Sequence, residues 1–235
     1  MLSISPLANL SIFFSERKDG SFDSPGQWPQ YLPQNTKDLP IYYCHHLHQA
    51  DRYICSSNNH HNHQNNLHEV WADALISDHP STLLMKVADC FPVVISSRSP
   101  QVFALIHAGW KPLLQNILEL TLTDMQRIYQ ATPENLSIWI GPGIGGCCYR
   151  FNQPPFQLQL KSWQSAIGSE NEQWSIDLAK FIQTELERLG CKTEKILNQQ
   201  LCTSCHYQTL FSHYRAKKGN CEPGRSLVAV QFISP

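Results

Sequence analysis

Residues 87–110 read V-A-D-C-F-P-V-V-I-S-S-R-S-P-Q-V-F-A-L-I-H-A-G-W. Two short apolar runs, rich in Val, Ile and Phe, flank a Ser/Arg/Pro turn, which is the pattern of two buried strands joined in a hairpin. Cys90 opens the first strand and His107 closes the second. Antiparallel neighbours lie roughly 4.8 Å apart, so the hairpin sets a thiol beside an imidazole as a candidate ligand pair. Asp89 precedes the cysteine, and Gly109 removes side-chain bulk just after the histidine.

A third donor must come from elsewhere in the chain. Residues 42–54, Y-Y-C-H-H-L-H-Q-A-D-R-Y-I, form another strand-like run dense in soft and borderline donors. A Cys/His/His set with an open fourth position is the arrangement by which Zn²⁺ holds a reactive water. If Leu47 faces the core, alternation places His46 and His48 on the opposite face, and either can converge on Cys90 and His107. Taken singly, a buried Cys is a small hydrophobe and a strand-end His a hydrogen-bonded structural residue. The same pair also fits a cysteine hydrolase with Cys90 as nucleophile and His107 as base.

Composition bounds the alternatives. A chain of 235 residues, 42% of them hydrophobic, is long enough for one domain, 1–235, with an ample core. No run is long and apolar enough to span a bilayer, and residues 1–6 lack the basic and long apolar regions of a signal peptide. A cytoplasmic protein is expected. The nine cysteines are odd in number in a long chain, which favours reduced thiols and metal ligands over disulfides. Net charge is −1 with no long basic run, so nucleic acid is not an expected partner and a small molecule is.

Along the chain, residues 8–15 read as a first strand, followed by a polar turn carrying the cation Arg17. Residues 23–40 read as a covering loop and the His/Asn tract 56–68 as an exposed turn. Residues 71–77 return to strand, with Asp73 as a turn or cap residue. A helix is expected over 112–130, with Pro112 at its start and Lys111 beside an N-terminus able to attract phosphate. Strand 137–140 runs into the glycine-rich 141–149, where an extended backbone points Cys147 and Cys148 apart and leaves one for packing. Residues 152–173 show no clear period. Ser175 is the expected cap of a helix through Leu189, with Asp177 in its first turn and Gly190 at its end. The C-x-x-C of Cys202 and Cys205 has zinc spacing, but His213 and Cys221 make a poor second pair. Residues 227–233 read as a final core strand. Short strands alternating with two clear helices indicate a mixed α/β (α+β) fold.

Taken together, A-D-C-F-P-V and H-A-G-W-K, the run I-G-P-G-I-G-G-C-C-Y at 140–149, and C-T-S-C, F-S-H-Y-R and P-G-R within 202–225 resemble the laccase-domain purine nucleoside phosphorylase family. That family was formerly described as multicopper polyphenol oxidases. The resemblance runs in order from about Ser15 to the C-terminus. It implies a layered α-β-β-α sandwich and a zinc site with ligands His48, Cys90 and His107. It also implies phosphorolysis of adenosine, inosine, guanosine and methylthioadenosine, and deamination of adenosine through a water activated for attack at C6. Arg17, Lys111, Tyr149, Arg215 and Arg225 would border the nucleoside and phosphate. Lys111-Pro112 stands where the family has Arg-Gly, and Arg150 where it has Glu. A copper polyphenol oxidase is the alternative within the same resemblance, and it would need further His ligands.

Overall fold

The computed structural model describes residues 2–4, 10–22, 39–56 and 66–232. In chain order the strands are β1 (Leu2–Ile4), β2 (Leu10–Phe14), β3 (Ile41–His45), β4 (Arg52–Cys55), β5 (Leu67–Trp71), β6 (Ala74–Ser77), β7 (Thr82–Val87), β8 (Phe91–Arg98), β9 (Gln101–Ala108), β10 (Ser137–Ile140), β11 (Arg150–Phe151), β12 (Ile167–Glu170), β13 (Gln173–Ile176), β14 (Ile196–Asn198) and β15 (Ser226–Phe232). The helices are α1 (Trp110–Leu114), α2 (Ile117–Tyr129), α3 (Leu178–Arg188) and α4 (His213–Lys217). None of the helices among the described residues is long and apolar enough to cross a membrane.

The expected hairpin is present: β8 pairs antiparallel with β9 from Phe91↔Ala108 to Arg98↔Gln101. It forms the centre of one sheet, ordered β14-β10-β8-β9-β6-β4. A second sheet is ordered β1-β2-β15-β7-β3-β5, and a small third sheet is ordered β11-β13-β12.

Side-chain alternation turns these sheets into layers. In the hairpin sheet, Leu75, Val94, Phe103, Leu105 and Trp139 point one way and meet Ile12, Phe14, Leu83, Met85, Val228 and Val230 of the second sheet. Their neighbours Ile76, Val93, Ile95, Ala104, Ile106, Ile138 and Ile140 point the other way, onto Leu118, Leu122 and Met125 of α2 and Phe181, Ile182 and Leu186 of α3. The remaining face of the second sheet carries Tyr43, Leu84, Leu227 and Ala229 with Phe22. Strands buried on both faces read as continuous apolar runs, which is why β8 opens on F-P-V-V-I and β9 carries V-F-A-L-I. The fold is mixed α+β, as expected.

Three connections pass from the second sheet to the hairpin sheet at one end of the molecule. They are residues 46–51 between β3 and β4, residues 72–73 between β5 and β6, and residues 88–90 between β7 and β8. Backbone bonds tie the first two together, with Ala72 N–H donating to His45 O (3.1 Å) and Asp73 N–H to Asp51 O (2.8 Å).

Several local expectations change. Residues 42–54 are not one strand, because β3 pairs with β5 and β7 while β4 pairs with β6 in the other sheet. Leu47 is 39% exposed on the crossing, so strand alternation does not apply to His46 and His48. Residues 71–77 divide in the same way around Asp73. The helix expected over 112–130 is two helices, broken where Asn116 adopts a left-handed backbone at φ 60. Pro112 lies inside α1, whose N-cap is Gly109. Ser175 belongs to β13, and the cap of α3 is Asp177, whose side chain accepts a hydrogen bond from Lys180 N–H at 2.9 Å. The carboxylate wins because it sits immediately before the first helical residue. Residues 152–173 make short 3-10 turns and the β12–β13 hairpin. Residues 23–38 of the expected covering loop and 57–65 of the His/Asn tract lie outside the described residues.

Candidate functional site

The sheet-to-sheet crossings carry His48, Asp73 and Cys90, and β9 delivers His107. His107 is 2% exposed on β9, facing Pro92 across the hairpin, two residues beyond Cys90. Its Nδ1 lies 2.8 Å from Asp73 Oδ1. Asp73 is fully buried and also accepts from the backbone N–H groups of His48 (3.1 Å) and Gln49 (2.8 Å). An acceptor carboxylate there requires the proton on Nδ1 and leaves Nε2 directed at the cavity. One buried carboxylate thus orients the His107 ring and anchors the loop that bears His48.

Nε2 of His107 faces the Cys90 sulfur. A Cβ built on Gly109 would stand 2.9 Å from Cys90 Sγ and 3.4 Å from His107 Nε2, so the glycine keeps this space open. His48 joins from the crossing with a left-handed backbone at φ 57, its ring centroid 5.1 Å from that of His107. Ligand atoms of His48, Asp73 and His107 lie within 4.8 Å of one another. The close set is two imidazoles and a carboxylate, and the Cys90 thiol lines the same cleft as both imidazoles. Imidazole and thiolate are borderline-to-soft ligands that suit a divalent ion, and a carboxylate behind a ligating histidine is the usual outer support.

Burial alone would push the His107 pKa down, but the Cys90 sulfur and the Asp73 carboxylate outweigh it and hold it at about 9. His46 stacks on His107 with centroids 3.8 Å apart and rings 4° from parallel. Burial, then the neighbouring His107 and His48, hold its pKa well below the usual histidine value, so it is a neutral ring. Its Nε2 is buried without a hydrogen-bond partner among the described residues.

Cys90 follows Asp89, a non-glycine residue at φ 82. This backbone is held by the Thr203 hydroxyl, which donates to Asp89 Oδ1, and by Tyr214 N–H, which donates to Oδ2, both at 2.6 Å.

Two clefts meet at these residues. One, of about 360 Å³, is lined by His48, Cys90, Trp110, Lys111, Tyr149 and Tyr214 among others. The other, of about 520 Å³, is lined by His46, His48, Lys86, Cys90, His107 and Arg225 among others. His213, at the start of α4, lines both. Tyr149 forms a stiff wall, its ring edge-on to Phe151 (4.7 Å) and Tyr214 (6.0 Å). Burial raises its pKa to about 12, so it remains a hydroxyl donor at neutral pH.

Arg17 and Arg215 are placed differently. Arg17 donates to Leu210 O (3.0 Å) and Glu222 O (2.8 Å) and covers the Phe211 ring at 4.5 Å. Arg215 donates to Ser204 O (2.9 Å) and lies 3.8 Å over Tyr207. Both guanidinium groups brace the loop beyond residue 200, and neither is among the residues lining the two clefts. Asp73 and His213 take site positions other than those the sequence suggests. Asp73 matches an aspartate of the resembled family but reads locally as a turn or cap residue, and His213 reads only as a poor partner for the Cys202–Cys205 pair.

Residues 33–232 match the family model described as multi-copper polyphenol oxidoreductase laccase. A Clostridium acetobutylicum protein named purine nucleoside phosphorylase is 31% identical over 144 residues, covering 61% of this chain and 60% of that protein. The Escherichia coli purine nucleoside phosphorylase YfiH is 29% identical over 150 residues, covering 62% and 59%. The match thus spans about 60% of the length of these curated relatives. The crystal structure of YlmD from Geobacillus stearothermophilus has the same fold, with a TM-score of 0.78 at 21% identity, covering 98% of this chain and 94% of that one.

Proposed function

Because the chain belongs to the family described as multi-copper polyphenol oxidoreductase laccase, in which similar proteins carry the name purine nucleoside phosphorylase, we propose that it is a zinc-dependent purine nucleoside phosphorylase. It takes adenosine, inosine, guanosine or methylthioadenosine with phosphate, gives the free base and ribose 1-phosphate, and also deaminates adenosine. We place it in the cytoplasm as one domain over 1–235. The observation that carries this reading is that His48, Cys90 and the Asp73-bound His107 line one cleft, which shares His48 and Cys90 with its neighbour.

His48, Cys90 and His107 would hold the metal, with Asp73 fixing His107 from behind. A zinc ion held there supplies Lewis acidity and lowers the pKa of a water molecule. The protein supplies the rest. Lys111 and Arg225, one in each cleft, bring positive charge for phosphate. Tyr149 offers a rigid apolar face and a hydroxyl donor to the purine. In phosphorolysis a phosphate oxygen bonds to C1′ as the bond from C1′ to the base nitrogen breaks, and the base leaves with a proton. Holding phosphate and nucleoside in adjoining clefts makes this attack effectively intramolecular. Arg17 and Arg215 act in this scheme by positioning the loop that borders the substrate.

Incubation with adenosine and phosphate, followed by separation of adenine, ribose 1-phosphate and inosine, tests the proposal. Adenine with ribose 1-phosphate reports phosphorolysis, and inosine reports deamination. Cys90→Ala should remove both products. No product from the zinc-loaded protein, or undiminished product from Cys90→Ala, overturns the reading. Copper found in protein purified without added copper, together with oxygen-dependent phenol oxidation, would establish the oxidase instead.

A further inference from the structure

Away from the clefts described above, a second group of ligands gathers. The sulfurs of Cys147, Cys148, Cys202 and Cys205 all lie within 4.8 Å of one another. Cys205 Sγ is 3.6 Å from Cys147 Sγ and 3.5 Å from Cys148 Sγ. A zinc ion with bonds of about 2.3 Å to four sulfurs in a tetrahedron separates neighbouring sulfurs by about 3.8 Å. A disulfide needs about 2.05 Å. The observed spacing is that of a thiolate cage.

The backbone explains how adjacent cysteines both reach the same point. Residues 145–149 form a tight turn in which Cys148 and Tyr149 N–H groups both donate to Gly145 O at 3.0 Å. The extended geometry that would point the two sulfurs apart is therefore absent. The second pair, Cys202-Thr203-Ser204-Cys205, has the two-residue spacing of zinc knuckles. The two loops are joined by a parallel bridge between Gly143 and Cys202, and by Thr203 N–H donating to Gly143 O at 2.9 Å.

Two further features hold the cluster together. Gly145 N–H donates to Cys202 Sγ at 3.2 Å, tying one loop to the other. Guanidinium groups also hold both loops: Arg150 donates to Cys147 O (3.1 Å) and Arg215 to Ser204 O (2.9 Å). Cys147 and Cys205 are exposed, so an ion can enter from solvent.

We propose that Cys147, Cys148, Cys202 and Cys205 form a structural zinc site that clamps the glycine-rich loop 141–149 to the loop 202–205. Binding releases the thiol protons and transfers no electrons. The clamp joins Tyr149 on one loop to Thr203 on the other, and Thr203 holds Asp89 beside Cys90. The site is separate from His48, Cys90 and His107, and does not depend on what reaction occurs there.

The test uses the full chain carrying Cys90→Ala, so that the first site contributes no thiolate. Purified from zinc-supplemented cells and dialysed, it should retain one zinc per chain that survives from the cysteine cage. Its cobalt-substituted form should show intense thiolate-to-cobalt charge-transfer bands and tetrahedral d–d bands. Adding Cys147→Ser and Cys205→Ser should remove both the ion and the bands. The cobalt spectrum is read with all four cage cysteines intact, so it does not depend on the serine variants folding. Absence of thiolate-to-cobalt bands from Cys90→Ala overturns the proposal. Bands that persist after Cys147, Cys148 and Cys205 are replaced by Ser do so equally. Two missing thiols and no metal in the unreduced, denatured chain would identify a disulfide and overturn it as well.

Discussion

Replacing Asp73 with asparagine keeps the shape of the side chain and removes its charge. The carboxylate accepts three hydrogen bonds, from His107 Nδ1 at 2.8 Å, His48 N–H at 3.1 Å and Gln49 N–H at 2.8 Å. An amide can accept through one atom only, so its NH₂ must face at least one of these donors. With His107 and Asp73 only 2% and 0% exposed, water cannot compensate. Losing a charge-assisted buried hydrogen bond costs about 1.5–3 kcal/mol. Removing the outer partner of a ligating histidine typically weakens metal binding roughly 10–100-fold, which is the same range. We expect Asp73→Asn to bind zinc about 30-fold more weakly at neutral pH, near 2 kcal/mol. Competition against a chromophoric chelator measures this, with circular dichroism reporting that the fold is retained. The pH profile separates orientation from simple loss of structure. Without the anion, the His107 pKa falls, so zinc affinity should depend less steeply on pH than in the wild type. A zinc affinity within about threefold of wild type, with an unchanged pH slope, would refute the role given to Asp73.

Other outcomes follow from the same geometry. Gly109→Ala places a Cβ 2.9 Å from Cys90 Sγ on a backbone at φ −84 that alanine tolerates, so the fold should persist while zinc affinity drops more than about tenfold. The folded-state pKa of His107 is raised to about 9, above its ordinary 6.5, so its contribution to stability is complete below about pH 6.5 and is lost as pH rises through 9. Thermal melts of chelator-treated protein should therefore fall across that window, and melts of equal midpoint at pH 6.5 and 9 would contradict it. In the metal-binding reaction the same proton competes with zinc, so affinity should weaken about tenfold for each pH unit below 9. Trp139, fully buried between the sheets, should cost about 3–5 kcal/mol as Trp139→Ala in urea unfolding.

What could be read from the chain follows the range of the interactions involved. The β8–β9 hairpin was legible because its partners are adjacent in sequence and its two apolar runs have strand length. The run 42–54 was misread because β3 and β4 find their partners in different sheets, and local alternation carries no trace of that division. Asp73 looked like a turn residue because its significance lies in His107, thirty-four positions away. The break at Asn116 and the cap at Asp177 were within local reach. In both, the helical stripe was correctly seen but the terminus was set by a backbone conformation or a side-chain bond that the stripe does not encode. The four-cysteine cluster was missed because adjacent cysteines were assigned an extended backbone, whereas the glycine-rich turn bends both sulfurs to the same side.

The three sheet-to-sheet connections at the site are short, only two residues at 72–73 and three at 88–90. Such straps have little slack, so any change in the gap between the layers must move His48, Asp73 and Cys90 relative to one another. Distant packing therefore sets the bite of the ligand cluster. Trimming Phe103 or Leu105, which fill that gap without touching the clefts, should alter metal affinity as well as unfolding energy. The protein would then tune its chemistry by the thickness of its own filling.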